Sequence, residues 1–260
     1  MNASVSLSSS QSSADIIIVG AGSAGCTLAH LLQHQHGYSV ALIEPGTSEN
    51  PEMVAAADID RTRPARWLKL LGSSEDWNYA TEASKSLAGR SLNCPRGRGF
   101  GGSSRINAMI WFPPTDDDLN MFSTAAASAT SADDRWSAES LRSAYNAAER
   151  LVQPESARWI SEPAQRFLDA ATPFGTAMAY RRMNRNGRRW SPAALIAQSD
   201  GVQKIRGTVD RVLFRDDQAV GVKLANGAKI AANKRVILSA GSIATPAILM
   251  RSGIGPRDRL

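Results

Sequence analysis

Three glycines and one glutamate near the N-terminus have the types and spacing of a ligand-binding site. Gly20, Gly22 and Gly25 form the pattern G-x-G-x-x-G, with Ser23 inside it, and Glu44 follows roughly 20 residues downstream. In this pattern the first glycine permits a tight turn, the second lets a pyrophosphate approach the backbone, and the third lets a helix pack closely on a strand. The acidic side chain can accept hydrogen bonds from a ribose, and it would repel a 2′-phosphate. These residues therefore predict dinucleotide binding.

The segments around these residues match what such a site requires. Residues 16–19 are a continuous β-branched run, which is typical of a parallel strand buried on both faces. A helix is predicted over about 24–35, ended by Gly37, and a second parallel strand over 39–43. Because strand, glycines, helix, strand and acid occur in register, we favour nucleotide binding over a structural βαβ unit without a ligand. The motif does not distinguish FAD from NAD.

A second segment, residues 94–114 (CPRGRGFGGSSRINAMIWFPP), is rich in glycine and arginine and has little periodicity before Ile106. Such a loop can wrap a large polar ligand with backbone amides, while Arg96 and Arg98 neutralise phosphate. The apolar run 108–112 is then expected to enter the core behind the ligand.

Two stretches together resemble the signatures of the glucose–methanol–choline (GMC) flavoprotein oxidoreductases, of the choline dehydrogenase or bacterial alcohol dehydrogenase kind. The first is residues 97–107 (GRGFGGSSRIN), with Trp111 and Pro114 downstream, and Phe100 is its one departure. The second is residues 241–255 (GSIATPAILMRSGIG). The resemblance implies FAD as the cofactor. In the family, the residues that approach the pyrophosphate and flavin match Gly101, Gly102, Ser104 and Asn107, and those near the adenine match Val209, Ala240 and Gly241.

The resemblance also implies that FAD is held non-covalently. Some relatives attach the flavin through a histidine at the position of Ile106, and isoleucine cannot form that bond. The residues that we predict to bind the cofactor are thus Gly20, Gly22, Ser23, Gly25, Glu44, Arg96, Gly101, Gly102, Ser104, Asn107, Val209, Ala240 and Gly241.

The predicted fold class is α/β: an FAD-binding, Rossmann-like parallel sheet of the two-dinucleotide-binding type with an inserted β-meander and a shortened substrate-domain remnant. The meander strands are expected at 208–214, 219–224 and 229–231, followed by a buried parallel strand at 236–239 and a helix from about Thr245 with Pro246 first. Other helices are predicted at 136–152, with Ser137 as N-cap, and at 163–171. The domains are a disordered tail (1–14), an FAD-binding domain (15–150 and 200–260) and the remnant (151–199).

Composition excludes several classes of protein. The chain has 260 residues, a formal net charge of +6 and two cysteines, without a disulfide framework or metal-ligand spacing. The one dense basic cluster favours a solvated or phosphate-facing loop over nucleic-acid binding, because no nucleic-acid-binding motif accompanies it; it comprises Arg181, Arg182, Arg185, Arg188 and Arg189. No window is apolar enough for a membrane span, and we expect a cytoplasmic protein. His30 and His34 share a helical face but have no evident third ligand, so no metal site is predicted.

Alcohol oxidation by a flavin needs a base for the hydroxyl proton. The family supplies a histidine from a C-terminal segment that this chain does not contain, and the three histidines present, His30, His34 and His36, all lie on or beside the first helix. We therefore assign no catalytic residue. The first hypothesis is the FAD-binding part of a GMC alcohol or choline dehydrogenase acting on a small alcohol, whose catalytic half is either cut off or supplied by a second chain that carries the histidine. The second is a shortened relative that binds FAD or another nucleotide without turnover, as a binding module or a decayed paralogue. The third is an NAD-dependent or nucleic-acid-associating protein.

Overall fold

The computed structural model describes residues 13–46, 62–129, 134–175, 179–258 and 260. Residues 1–12 of the predicted tail, and residues 47–61, lie outside this set. The chain divides into two compact units. The first comprises the described residues up to Asn107 together with Ser191–Leu260, and the second is Ala108–Trp190.

The strands are, in chain order, β1 (Ser13–Val19), β2 (Val40–Glu44), β3 (Tyr79–Ala80), β4 (Asn93–Cys94), β5 (Ile110–Trp111), β6 (Arg181–Arg182), β7 (Asn184–Arg185), β8 (Arg188–Arg189), β9 (Val202–Arg206), β10 (Val209–Arg215), β11 (Gln218–Leu224) and β12 (Lys229–Leu238). The α-helices are α1 (Ser23–His36), α2 (Asp116–Ala129), α3 (Ala138–Val152), α4 (Glu162–Ala171), α5 (Ala193–Ala197) and α6 (Gly241–Arg251).

The first unit is built on one six-stranded sheet with the order β10-β11-β12-β1-β2-β9. Strands β12, β1, β2 and β9 pair in parallel. Strands β10, β11 and the beginning of β12 pair antiparallel, as a meander inserted before the last parallel strand. This arrangement confirms the predicted α/β fold class.

Strand β1 is buried on both faces, as its apolar run predicted. Ile17 packs in one cluster with Val222 of β11 and Ile248 of α6. Ile18 packs in a second cluster with Cys26 of α1, on the opposite face. The two clusters separate because successive side chains of a strand point to opposite faces of the sheet. The sheet thus fixes the end of β1, from which the first glycine turn begins.

Strand β12 is longer than predicted. It is one strand of 10 residues, where we expected separate strands at 229–231 and 236–239. It pairs with β11 up to Ala231 and with β1 from Ala231 onward, so residues 232–235 continue a strand rather than forming a turn. Ser13 and Ala14, predicted as the end of the tail, belong to β1 because they pair with this extended part of β12.

Helix α6 begins earlier than predicted. It starts at Gly241, directly after the N-cap Ala240, and Pro246 lies inside it. The prediction of a start near Thr245 was therefore wrong. The proline has no N–H and removes one hydrogen bond of the helix, to the carbonyl four residues earlier. The early start places the N-terminus of α6 at the end of β12, beside the first glycine turn.

The second unit contains α2, α3 and α4 with two short strand pairs, β5–β6 and β7–β8. Helix α3 begins after the predicted N-cap Ser137, whose hydroxyl accepts a hydrogen bond from Ser140 N at 3.2 Å. The boundaries of this second unit, at 108 and 190, differ from the domain boundaries that we predicted at 150 and 199. Helix α3 belongs to the second unit because Glu149 accepts hydrogen bonds from Trp111 of β5 and Arg181 of β6.

Several large apolar side chains of the second unit are exposed. The predicted run 108–112 does not enter the core as a block: Met109 is buried, whereas Ile110 and Phe112 are 45% and 60% exposed. Helix α4 has no buried residue, and its Phe167 is 71% exposed. Among the residues that the structure describes, no helix is both long and apolar enough to cross a membrane.

Candidate cofactor site

Each glycine of the G-x-G-x-x-G motif meets the backbone requirement that its position predicted. Gly20 has φ +96°, and a Cβ there would lie 2.6 Å from the Cα of Ala240. A Cβ on Gly25 would collide with the carbonyl oxygen of Gly20, so only glycine lets α1 pack this closely. A Cβ on Gly22 would have no neighbour nearer than Ser239 O, at 3.9 Å. Gly20 and Gly25 are therefore required by packing, and Gly22 leaves room for a ligand.

The N-terminus of α1 begins inside this motif. Its N-cap Gly22 makes no side-chain capping hydrogen bond, and the first turn contains no acidic residue. Ser23 is the first helical residue and is exposed. The first amides of a helix lack helical acceptors and carry a partial positive charge, which attracts phosphate. The start of α1 thus fits the pyrophosphate of a dinucleotide.

Glu44 ends β2 and is buried, with 7% exposure. Its Oε1 accepts hydrogen bonds from Gly46 N (3.1 Å) and Gly99 N (2.9 Å), and its Oε2 accepts one from Ala21 N (3.2 Å). A carboxylate offers about four acceptor positions, so three are occupied within the protein. The ribose contact of Glu44 stays a prediction, and the structure shows its carboxylate accepting hydrogen bonds from three backbone N–H groups.

The second glycine-rich segment, residues 96–105, is called here the glycine-rich loop. Gly101 N donates to Ala21 O at 2.7 Å, and a Cβ on Gly102 would lie 2.7 Å from the Cα of Gly22. Gly101 and Gly102 have φ values of +101° and +52°, a region that favours glycine. The loop ends in a 3₁₀ turn, Gly102–Arg105. The two glycine segments found in the sequence therefore lie in direct contact.

Ser104 and Asn107 follow within and after that turn. The Ser104 hydroxyl is buried, donates to Gly101 O (2.6 Å) and lies 2.8 Å from the Ser191 hydroxyl. These contacts hold the loop to Ser191, which lies just before α5 in the chain. Asn107 is half-buried, and its backbone N–H donates to Ser103 O at 2.9 Å. Contact of either residue with FAD stays a prediction.

Arg96 and Arg98 are both exposed at the start of the loop. One guanidinium nitrogen of Arg96 donates to Pro95 O at 2.7 Å. The Arg98 guanidinium lies 5.1 Å from the centre of the Trp77 ring. Exposure leaves both cations beside the loop, where a phosphate is expected.

Of the three residues predicted near the adenine, Ala240 and Gly241 lie at the start of α6, whereas the carbonyl of Val209 accepts a hydrogen bond from Arg251, the last residue of α6. Val209, at the beginning of β10, is buried in the cluster against which Ala240 packs. Gly241 has φ +85°, and a Cβ there would have no atom within 4 Å. Ala240 is also the close neighbour of Gly20 described above. The structure therefore brings Ala240 beside the first glycine turn, and contact of the three residues with adenine stays a prediction.

Sequence reasoning assigned no role to three charged residues: Arg105, which ends the loop, and Glu75 and Asp76, which contact it. All three are buried. The Asp76 carboxylate accepts hydrogen bonds from the backbone N–H groups of Gly72 (3.0 Å), Asn78 (3.0 Å) and Arg96 (2.9 Å). The available signal was the Asp76-x-Asn78 spacing, because an aspartate often bonds the backbone two residues on.

Burial alone would raise the pKa of Asp76. The three backbone donors and the charge of Arg96 outweigh that effect, so the pKa lies below its usual value. The carboxylate is therefore held in its charged, hydrogen-bonding form.

The Cys26 thiol and the His30 imidazole of α1 are occupied by contacts within the protein. Cys26 is fully buried, and burial raises the pKa of its thiol to about 12. His30 Nδ1 lies 2.9 Å from the Ser199 hydroxyl, and its ring stacks on His34. Burial and then the neighbouring His34 lower the pKa of His30. In the described part of the chain, no three His, Cys, Asp or Glu side chains group so as to hold a metal ion.

Comparison with known proteins decides the family. The family model described as GMC oxidoreductase matches residues 14–205 and 196–260. The chain belongs to the GMC oxidoreductase family. Pyridoxine 4-oxidase of Microbacterium luteolum is 31% identical over 95% of this chain and 53% of that protein. Oxygen-dependent choline dehydrogenase of Rhizobium johnstonii is 28% identical over 95% and 49%.

Solved structures agree with this assignment. The crystal structure of pyridoxine 4-oxidase from Mesorbium loti is similar with a TM-score of 0.73 and 29% identity, over 94% of this chain and 52% of that chain. Formate oxidase shares the fold, with a TM-score of 0.71 at 23% identity. The chain thus spans about half the length of the relatives that it matches. The match to the family model confirms the predicted family. GMC oxidoreductases are FAD-binding flavoproteins, so the predicted cofactor is confirmed as well.

Proposed function

We propose that this chain forms the FAD-binding part of a GMC oxidoreductase that acts on a CH–OH group of a small alcohol, with FAD held non-covalently. The observation that supports this most is the contact between the two glycine segments, where Gly101 N donates to Ala21 O and Gly102 approaches the Cα of Gly22. An NAD domain needs only the first segment. Two glycine segments in contact favour a longer ligand that runs past both.

The residues present fit the parts of FAD. The N-terminus of α1, with Gly22 and Ser23, would hold the pyrophosphate. Glu44 would accept one ribose hydroxyl at its remaining acceptor position. The adenine would lie beside Val209, Ala240 and Gly241, and the flavin near Asn107. Ile106 is buried and aliphatic, which supports non-covalent binding.

Bound FAD supplies the acceptor for a hydride from the carbon that carries the hydroxyl. The hydroxyl proton then needs a protein base. Of the three histidines in the chain, His30 is bonded to Ser199 and lies about 10 Å along α1 from Ser23, at about 1.5 Å per residue. We assign no base among the described residues and propose that a histidine outside this chain supplies it. The names of the relatives, a pyridoxine oxidase and a choline dehydrogenase, support a small-molecule donor. A cytoplasmic location stays a prediction.

Absorption spectroscopy tests FAD binding. The purified chain is titrated with FAD, and bound flavin is separated from free flavin by gel filtration. We expect a flavin spectrum with the protein, and its loss in Gly102→Ala, whose Cβ would meet Gly22. Gly187→Ala is the matched control, because Gly187 also has positive φ (+73°) but no atom within 4 Å of the added Cβ. Failure of the wild-type chain to retain any FAD would refute the proposal.

A second candidate is an FAD-binding module without turnover, which the positions of the three histidines favour. Adding a primary alcohol or choline to the flavin-loaded chain without oxygen separates the two. Bleaching of the flavin bands would mean that a residue of this chain serves as the base. Unbleached bands that bleach after adding a partner chain would support the first candidate, and bands that never bleach would support the second.

A further inference from the structure

A buried ion pair joins Arg105, the last residue of the glycine-rich loop, to Glu75 outside it. Arg105 Nε donates to Glu75 Oε2 at 2.8 Å, and its Nη2 contacts the same oxygen. Its Nη1 donates to Phe100 O at 3.1 Å. The two side chains are only 9% and 7% exposed. Arg105 is part of the second glycine segment and Glu75 lies outside both segments, and neither residue is among those predicted to bind the cofactor.

Arg105 joins both ends of the loop's turn. It is the last residue of the 3₁₀ turn Gly102–Arg105, and through the Phe100 carbonyl it reaches back to the residue that precedes Gly101 and Gly102. The guanidinium therefore spans the two glycines whose backbone is close to the first glycine turn. Because its donors form a planar, fixed fork, it restrains the loop more than a flexible ammonium group would.

Glu75 connects this turn to a separate backbone segment. Its carbonyl accepts the N–H of Arg98 at 2.8 Å, and Trp77 N donates to Arg96 O at 2.8 Å. Asp76 and Gly97 form a β-bridge between the same segments. Residues 75–77 thus run beside residues 96–98, and the Glu75 carboxylate extends from this short ladder to Arg105. The pair fastens the turn to a framework outside the loop.

The loop needs such an external restraint. Glycine loses more conformational freedom on ordering than any other residue, and this loop contains four glycines. Removing a charged pair from water is costly, and such a pair is favourable only where its geometry is fixed and its donors are satisfied. Here the geometry keeps the loop's amides in the place where they contact the first glycine turn.

We propose that Glu75 and Arg105 are positioning residues, which hold the glycine-rich loop in the conformation that receives the pyrophosphate of FAD. This inference rests on the proposed FAD binding of the chain. It assigns the two residues no contact with FAD itself. Their effect on affinity comes from ordering the loop before the ligand arrives.

The test uses the whole chain and three variants: Arg105→Met, which keeps the length of the side chain, Glu75→Gln, and Arg105→Lys. Glu162→Gln is the matched control, since Glu162 also pairs with an arginine but is 75% exposed on α4. Hydrogen exchange is measured without FAD at the amides of Gly101, Gly102 and Ser104. The amides of Ile17 and Ile18 in β1 report global opening.

Arg105→Met should speed exchange of the loop amides about tenfold or more and leave the β1 amides unchanged. Glu75→Gln should act in the same direction but less, because a glutamine oxygen can still accept from Arg105 without the negative charge. A lost hydrogen bond to a charged group corresponds to about 10- to 100-fold in an equilibrium constant. The Kd for FAD should rise in both variants and not in Glu162→Gln, in proportion to the fraction of chains that lose the ordered loop. Arg105→Lys should recover part of both effects, because an ammonium can reach Glu75 but lacks the fork that also serves Phe100 O.

Three results would overturn the inference: unchanged loop exchange in Arg105→Met, faster exchange with an unchanged Kd, or equal acceleration in β1. If Arg105→Met does not fold, Glu75→Gln and Arg105→Lys decide by the same criteria. Failure of the wild-type chain to bind FAD would instead refute the proposed function. The exchange measurements need no FAD, so the two failures are distinguishable.

Discussion

Replacing Glu44 by glutamine should destabilise the protein even without any ligand. The Glu44 carboxylate is 7% exposed and accepts three backbone hydrogen bonds, from Ala21, Gly46 and Gly99. Glutamine has one acceptor oxygen and one amide donor group. If its oxygen takes the place of Oε1, the Gly46 and Gly99 bonds remain, and the amide faces the Ala21 N–H. One buried donor then loses its acceptor.

The size of the effect follows from that single loss. A hydrogen bond to a charged group contributes about 1.5–3 kcal/mol to stability. The free energy of unfolding of Glu44→Gln should fall by about this amount. A domain of this size shifts its unfolding midpoint by about 2–4 °C per kcal/mol, so the midpoint should fall by about 3–12 °C. The Kd for FAD should rise as well, because both the ribose acceptor and the loop contact weaken.

Urea unfolding of the FAD-free chain, followed by circular dichroism, measures this change. Glu162→Gln is the control, because its exposed ion pair should contribute less than about 0.5 kcal/mol. A Glu44→Gln variant that unfolds within 0.5 kcal/mol of wild type, while its FAD affinity drops, would refute the reasoning. Glu44 would then serve the ribose alone.

Three further outcomes are expected. Gly20→Ala should lower the free energy of unfolding in urea by at least about 2 kcal/mol, because the added Cβ meets the backbone of Ala240. Gly37→Ala, whose Cβ has open space, should lower it by about 1 kcal/mol. Asp76→Asn should be less stable than wild type at pH 7, and the difference should shrink as the pH falls below about 4, because the folded-state pKa of Asp76 is lowered. A chromogenic thiol reagent at pH 8 should label the half-buried Cys94 and spare Cys26 until the chain is unfolded.

The parts of the fold that the sequence predicted are those with a local physical cause. The β-branched run of β1 and the serine N-cap of α3 need only near neighbours in the chain. Strand β12 was missed at 232–235 because Asn233, Lys234 and Arg235 are exposed and resemble a turn. They remain extended because β12 pairs with β1, where Arg235 is opposite Ile16. Tertiary pairing overrode the local preference.

The same distinction holds within the candidate site. The roles of Gly20 and Gly25 were predictable because a backbone position without room for a Cβ requires glycine, and glycine is visible in the sequence. The contacts of Glu44 with Gly99 and of Arg105 with Glu75 join residues 55 and 30 positions apart. No periodicity or spacing reports such pairs, since they form only once the sheet brings the segments together.

Three acidic residues that are distant from the glycine-rich loop in sequence hold it through hydrogen bonds. Glu44 accepts a hydrogen bond from Gly99 N, and Asp76 accepts one from Arg96 N. Glu75 accepts one from Arg105 Nε. Three carboxylates near the expected place of an anionic pyrophosphate would oppose its binding if they were free. Each is instead occupied by N–H donors of the loop and its surroundings, so its charge is largely compensated. We therefore expect the loss of Glu75 or Asp76 to weaken binding by disordering the loop rather than by removing a contact with the cofactor, whereas the loss of Glu44 should do both.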